Sequence, residues 1–470
     1  MAADRIFSPL LLAFLCLLFV DCAEGTRNYG HVDISSLLPS TVCSPSRVLQ
    51  SHHGRVVVVS RNGPCSPLPG VERLNTRQIL VQDRARVKIL QSLIAARQYH
   101  RSKPLESSTV SSAPVNYGIQ FFRTNNYIVK VGFGTPKRDM NLVFDTGSDL
   151  TWIRCLPCSS GDCARQRDPV FDPSNSSSFR HVSCPSDDCS AFKSSLYEQS
   201  PGCGASSVCE YSVDYSDEST SRGSLGSDTI SLTQTISITQ FRFGCGHNTS
   251  GNFGTTSGLL GLGPGNASFV SQTAARLGKS FSYYLPSRQS STGFLSFSPE
   301  ISSDVKFTPL LNLDLPSFYF VNLKRIKVGD GILPVSFSGG GTVIDSGTVI
   351  TRLPAAAYTA LRSAFRKAMA NFTSVAPEDD LLDTCYDFSG YERLPAVPTV
   401  ALVFDGDVRM DVAVSGILYG TTKSRLCLAF AENAHADDYV VIGNKVQRGY
   451  EVIYDVGNER LGFKAIDRVS

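Results

Sequence analysis

The chain is sparing with charge and nearly devoid of tryptophan: 18% of its 470 residues are charged, and it has one Trp and four Met. Lys and Arg (44) almost cancel Asp and Glu (42), leaving a formal charge of +2. That balance excludes a generally basic protein with nucleic acid as its main partner, and leaves room only for a local basic region. After residues 10–20 no apolar run of membrane-spanning length follows, so several membrane passes are excluded. No G-x-S-x-G occurs, and the seven His fall mostly near the N-terminus or in polar loops, so a Ser-His-Asp site has little support. Gly261-x-Gly263-x-Gly265 lacks the spacing of a dinucleotide fingerprint and reads as a loop after a buried strand. What is present is 42% apolar residues, enough for two or three domains with real cores and incompatible with disorder or collagen.

Fourteen cysteines are many for a reducing cytosol, and four N-x-[ST] acceptors, at Asn175, Asn248, Asn266 and Asn371, agree with an oxidising compartment. The one long apolar run, 10–20, follows Arg5 and precedes the small residues around Cys22–Gly25. Its length and flanks predict a signal peptide over 1–25; a membrane anchor is the rival, but about 20 apolar residues are needed to span a bilayer.

Residues 26–117 form a distinct leader with twelve Lys/Arg against four Asp/Glu. From Gly118 onward the chain is acidic, net −4, so a basic leader precedes an acidic body. Within the leader, Leu80, Val87, Leu90 and Ile94 recur at near-helical spacing beside Arg84, Arg86, Lys88 and Arg97. Residues 102–114, rich in Ser and Pro, read as an exposed, cuttable linker. The helix is either an ordinary surface element or part of a removable pro-segment held electrostatically over an acidic cleft; the charge asymmetry favours the second.

From Tyr127 the sequence turns to short β-rich segments broken by Gly, Pro, Asn and Ser. The best helical pattern, 355–370, is opened by Pro354. The expected fold class is mainly antiparallel β with few helices. Two stretches repeat one chemistry about 200 residues apart: Leu142-Val143-Phe144-Asp145-Thr146-Gly147-Ser148 and Thr342-Val343-Ile344-Asp345-Ser346-Gly347-Thr348. Each is an apolar strand that ends in Asp, a hydroxyl residue, Gly and a second hydroxyl residue. The strand fixes the carboxylate, Gly lets the backbone close beneath it, and hydroxyls hold its oxygens. The recurrence suggests duplication into two lobes: 118–306 with the first Asp and 307–470 with the second. If the lobes face each other, Asp145 and Asp345 meet, share one proton and divide base and acid roles. A water between them then attacks a peptide carbonyl, by a scheme that uses no metal and no cofactor.

These residues resemble the pepsin-like aspartic proteases, in particular the plant nepenthesin-like and chloroplast-nucleoid-protein-like branch, over residues 127–463. The resemblance implies a bilobal β fold with a cleft between related lobes, preceded by a helical pro-segment. It puts Asp145 and Asp345 on the catalytic positions, supported by Thr146, Gly147, Ser148, Ser346, Gly347 and Thr348, with Ser148 and Thr348 as hydroxyl partners. Leu259-Leu260-Gly261 and Val441-Ile442-Gly443 are similar to the segments that cross behind each catalytic loop, and residues 209–219 to the flap hairpin. Tyr215 is then the flap tyrosine, reaching the indole of Trp152, with Asp217 beside it; Ser216 stands where the family commonly has Gly.

Ten cysteines lie beyond the leader: Cys155, Cys158, Cys163, Cys184, Cys189, Cys203, Cys209, Cys245, Cys385 and Cys427. Cys155-x2-Cys158-x4-Cys163 is readable as a metal site, but an even count in a secretory chain favours disulfides. The resemblance implies five bridges among them, one joining Cys385 to Cys427. The function expected is an acid endopeptidase made as a zymogen, cutting polypeptides in the inter-lobe cleft, with its own pro-segment as first partner. It is expected to be a monomer in the apoplast or vacuole rather than the plastid, without a membrane span and, once processed, without nucleic acid. The rival is a binding or inhibitor-like protein on the same fold.

Overall fold

The computed structural model describes residues 32–46, 54–68, 75–102 and 127–466, apart from short gaps, among them 196–201, 215–219, 251–254, 314–316 and 338–340. The signal segment and the linker therefore lie outside the described residues, as do Tyr215, Ser216 and Asp217.

The body is mainly β. A 14-stranded sheet runs through the first lobe and across to the C-terminal strands, where Ser280–Tyr284 pairs with Tyr450–Asp455 and that strand with Arg460–Ala465. The second lobe adds three smaller sheets of five, four and four strands. Most pairings are antiparallel, as the alternating, turn-broken segments predict. Two of the parallel pairings fall where the chain crosses behind the two Asp loops: Gly258–Gly261 lies along Arg138–Asp145, and Val440–Ile442 along Thr342–Ile344. The expected helix is Ala355–Ala368, with Pro354 at its N-cap and Ala357, Tyr358, Leu361 and Phe365 turned into the core.

The leader contributes more than a helix. Its valine run, in the strand Arg55–Ser60, lies inside the large sheet, paired to Thr292–Phe297 on one side and to Tyr127–Phe133 on the other. Four consecutive β-branched residues, Val56 to Val59, suit a strand better than a helix, and Val58 is fully buried. The sequence expectation for the leader, a helix and a linker, missed this strand. Further upstream, Ile34 is buried and its N–H donates to the Glu392 carbonyl of the second lobe. A disulfide, Cys43–Cys65, encloses the strand within the leader.

The leader helix spans Thr76–Ser102. A reciprocal cap starts it: Gln78 N–H donates to Asn75 Oδ1, and Asn75 N–H to Gln78 Oε1, each at 2.9 Å. Ile79, Leu80, Val87, Leu90 and Ile94 form its buried stripe. Ile79 and Leu80 pack with Val349 and Ile350, while Val87, Leu90 and Ile94 pack with Phe320, Val343, Tyr439 and Val441. All of these partners belong to the second lobe. The same face carries three buried polar side chains, Asp83, Arg86 and Gln91.

Candidate active site

Asp145 ends the strand Arg138–Asp145, and Asp345 follows the strand Thr342–Ile344. The crossing segments hold each loop from behind. Leu262 N–H donates to the Asp145 carbonyl at 2.8 Å and Asp345 N–H to the Ile442 carbonyl at 3.1 Å, while Gln447 Nε2 reaches the Asp345 carbonyl at 3.2 Å. The hydroxyl residues after each Asp tie the loops to each other. Thr146 N–H donates to Ser346 Oγ at 3.1 Å and Ser346 N–H to Thr146 Oγ1 at 2.9 Å. The lobes are thus locked by a symmetric pair of bonds directly beneath the carboxylates. In each loop the glycine N–H turns onto its Asp, Gly147 to Asp145 Oδ1 at 3.1 Å and Gly347 to Asp345 Oδ1 at 2.9 Å.

The outer hydroxyls differ. Thr348 Oγ1 donates to Asp345 Oδ2 at 2.6 Å. Ser148, expected to do the same for Asp145, is buried with no hydrogen-bond partner for its hydroxyl among the described residues. On that side the second oxygen of the carboxylate accepts from Arg86 instead.

Arg86 joins the two carboxylates. Its Nη2 lies 2.7 Å from Asp145 Oδ1 and 2.6 Å from Asp345 Oδ1, its Nε 2.6 Å from Asp345 Oδ2, and its Nη1 3.3 Å from Asp145 Oδ2. Both carboxylates thus face one nitrogen atom, and all three side chains are buried. Glycine at both third positions makes room for the guanidinium: a Cβ on Gly347 would sit 2.2 Å from Arg86 Cζ, and one on Gly147 2.6 Å from Nη2. Burial pushes both carboxyls up, and at Asp145 it prevails, holding the group above its ordinary value. At Asp345 burial is outweighed by the Arg86 charge and by the bonds from Arg86, Thr348 and Gly347, which together hold it below.

Two further leader side chains grip the second lobe. Asp83 accepts from Val349 N–H at 2.5 Å and Ile350 N–H at 3.2 Å and pairs with Arg352 Nη2 at 2.7 Å. Gln91 bonds both ways with the Tyr439 backbone, donating at 2.7 Å and accepting at 2.8 Å. Sequence reasoning placed Arg86 only among the helix's charges and passed over Asp83, Gln91 and Arg352. The available signal was one acidic residue, Asp83, on the apolar face of a basic helix that also carries Leu80, Val87 and Leu90.

The hairpin of Glu210–Asp214 and Thr220–Ser231 is present, with its tip outside the described residues. Trp152 is buried near its base in a cluster with Tyr211, Val213 and Leu225, and the Tyr211 hydroxyl bonds to Ser221 Oγ at 2.8 Å. The ten body cysteines form five bridges: Cys155–Cys245, Cys158–Cys163, Cys184–Cys203, Cys189–Cys209 and Cys385–Cys427. The Cys155, Cys158 and Cys163 cluster is therefore a disulfide site, and the pairing of Cys385 with Cys427 agrees with the resemblance. Asn175, Asn248, Asn266 and Asn371 are all exposed.

Two related β-lobes that bring a pair of D-[ST]-G loops face to face define the pepsin-like fold. Comparison with known proteins agrees. Family models described as "Xylanase inhibitor N-terminal" and "Xylanase inhibitor C-terminal" match residues 127–298 and 318–465. Aspartyl protease AED1 of Arabidopsis thaliana is 40% identical over 97% of both chains. Aspartic proteinase nepenthesin-2 of Nepenthes gracilis is 31% identical over 76% of this chain and 80% of its own. The chain belongs to the plant pepsin-like aspartic protease family. Among solved structures, conglutin gamma from lupine seeds superposes with a TM-score of 0.59 at 19% identity, over 75% of this chain and 97% of its own. Basic 7S globulin from soybean does so at 0.58 and 19%, over 73% and 93%. At these identities the likeness is one of fold alone.

Proposed function

We propose that the protein is an aspartic endopeptidase of the secretory pathway, made as a zymogen in which Arg86 occupies the place of the catalytic water. The observation that carries this reading is the approach of Asp145 and Asp345 to the single atom Arg86 Nη2, at 2.7 and 2.6 Å. Removal of the helix leaves two buried carboxyls that compete for ionisation and hold one proton between them. Water takes the guanidinium's place. The ionised carboxylate removes a proton from it as it attacks the peptide carbonyl, the protonated partner polarises the carbonyl oxygen, and proton transfer to the amide nitrogen completes cleavage. Thr348 and the two glycine N–H groups keep the carboxyls aimed, and the Thr146–Ser346 lock keeps the lobes in register. The six disulfides and the four exposed Asn acceptors suit an oxidising, glycosylating compartment, the apoplast or vacuole.

The rival, a non-catalytic binding protein, draws on the inhibitor names of the family models and on the seed globulins of the same fold. The intact carboxylate pair weighs against it. Asp145→Asn or Asp345→Asn should lower kcat on denatured protein at acidic pH by about 10³-fold or more while the melting temperature of the activated protein, freed of the leader helix, holds. A pepstatin-like transition-state mimic should abolish the remaining wild-type activity. Turnover that survives in either variant overturns the reading.

A further inference from the structure

Asp83 is the leader's second anchor, and its surroundings belong wholly to the body. Val349 and Ile350 lie directly after the Asp345–Thr348 loop, and their N–H groups point at one carboxylate. Arg352 completes the set through Nη2, while its Nη1 is bound to the Ile350 carbonyl at 2.8 Å, so the side chain is oriented by its own strand rather than by the leader. That strand, Thr351–Leu353, pairs in parallel with Phe430–Glu432 and meets Val441 through Arg352 on its other side. Arg352 is thus set on a paired strand, and the Val349 and Ile350 donors directly precede it.

We propose that, with the helix gone, Arg352 and the Val349 and Ile350 N–H groups form a substrate subsite for an acidic side chain, Glu or Asp, close to the scissile bond. Asp83 is the leader's imitation of that side chain. Asp83 lies three positions before Arg86, about 4.5 Å along a helix axis, so an extended substrate reaches the subsite within about two or three residues of the cut. Departure of the helix leaves a cation that was 2% exposed facing the cleft with its acceptor removed. A buried charge in that state favours a ligand that restores its partner. The other carboxylate nearby, Asp379, is bound at 2.8 Å by Arg84 of the same helix and accepts from its own Leu381 N–H at 2.8 Å. It is freed together with Arg352 and is the internal competitor for it.

This inference deepens the protease reading and rests on it, and the test separates the two. Paired peptides differing only by Glu or Gln, walked through the three residues on each side of the cut, are assayed with the activated enzyme. The same pairs with a reduced scissile bond are titrated for binding. At one position Glu should exceed Gln by about tenfold or more in kcat/KM and in affinity, as expected for a charge-assisted, multi-donor contact. Arg352→Met should bring the ratio close to one while leaving the Gln peptide within a few-fold of wild type. Should that variant fold poorly with Asp83 left buried opposite Met, Asp83→Asn combined with Arg352→Met removes both charges and keeps the test. Cleavage with no Glu preference at any position, or a preference that survives loss of Arg352, overturns the subsite and leaves the protease reading standing. An Arg352-dependent Glu preference in binding without cleavage overturns the protease reading and leaves the subsite standing.

Discussion

In the proposed zymogen, Arg86 is where the chemistry of the candidate site and the control of it meet. At the dyad the helix contributes the guanidinium, which favours the ionised form of both carboxyls against the burial that raises them. At Asp345 that pull prevails, and the covered carboxyl titrates below its ordinary value. The Asp345 contact is complete above the ordinary carboxyl value of 3.8 and is lost as pH falls through the lower covered one. Asp83 works the other way. Its carboxyl is raised by burial, against the pull of Arg352 and of the Val349 and Ile350 N–H groups. Acid release must then proceed through the dyad. Arg86→Met removes a buried partner whose loss typically costs about 3–5 kcal/mol. Its precursor should cleave a test peptide near pH 6 without the lag in acid that the wild-type precursor shows. A variant that stays latent at pH 6 and keeps the wild-type lag contradicts the plug.

At the scale of elements, the leader helix is held by an apolar stripe that positions three polar grips. Leu90 is 1% exposed among Phe320, Val343, Tyr439 and Val441. Leu90→Ala should weaken docking by about 2–5 kcal/mol and move the pH of half-release toward neutrality by about 1.5 to 3.5 units if one proton drives it. Val81→Ala, at a half-exposed position of the same helix, should leave it unchanged; equal profiles for the two variants contradict a docked stripe. This stripe was legible in the sequence because Leu80, Val87, Leu90 and Ile94 repeat at the helical period. The two Asp loops were legible because strand, carboxylate, hydroxyl and glycine recur as one string. The grips were not, because Asp83, Arg86 and Gln91 acquire meaning only from partners 59 to 348 residues away, a separation that no local pattern reports. The strand Arg55–Ser60 was legible in composition, as a valine run, but was subsumed in a leader read by its charge. Ser148 shows the limit of duplicated motifs: equal position in the string did not give it the bond Thr348 makes, because Arg86 supplies the second oxygen of Asp145 with its donor.

For the whole molecule, the leader strand matters more than its place in the chain suggests. It fills a gap in the large sheet between Tyr127–Phe133 and Thr292–Phe297, with ladder bonds to both, and Val56 and Val58 join a core cluster that continues through both lobes to Tyr454 and Phe463. A body made without it exposes two strand edges and the apolar floor beneath, a template for wrong pairing during folding. Residues 118–470 expressed alone should therefore give little soluble protein. The same body refolded with residues 32–102 supplied as a separate chain should recover β-sheet content and a single melting transition. Supplying a leader that carries Val58→Asp should not rescue it, since a carboxylate would have to be buried at a fully enclosed sheet position. An Arg86→Met leader should rescue folding normally while failing to silence the activity that follows. That split between two substitutions in one segment separates the leader's part in building the fold from its part in blocking the dyad. Equal rescue by all three leaders, or efficient folding of the body alone, means that the sheet closes by another route and that the strand is only a passenger.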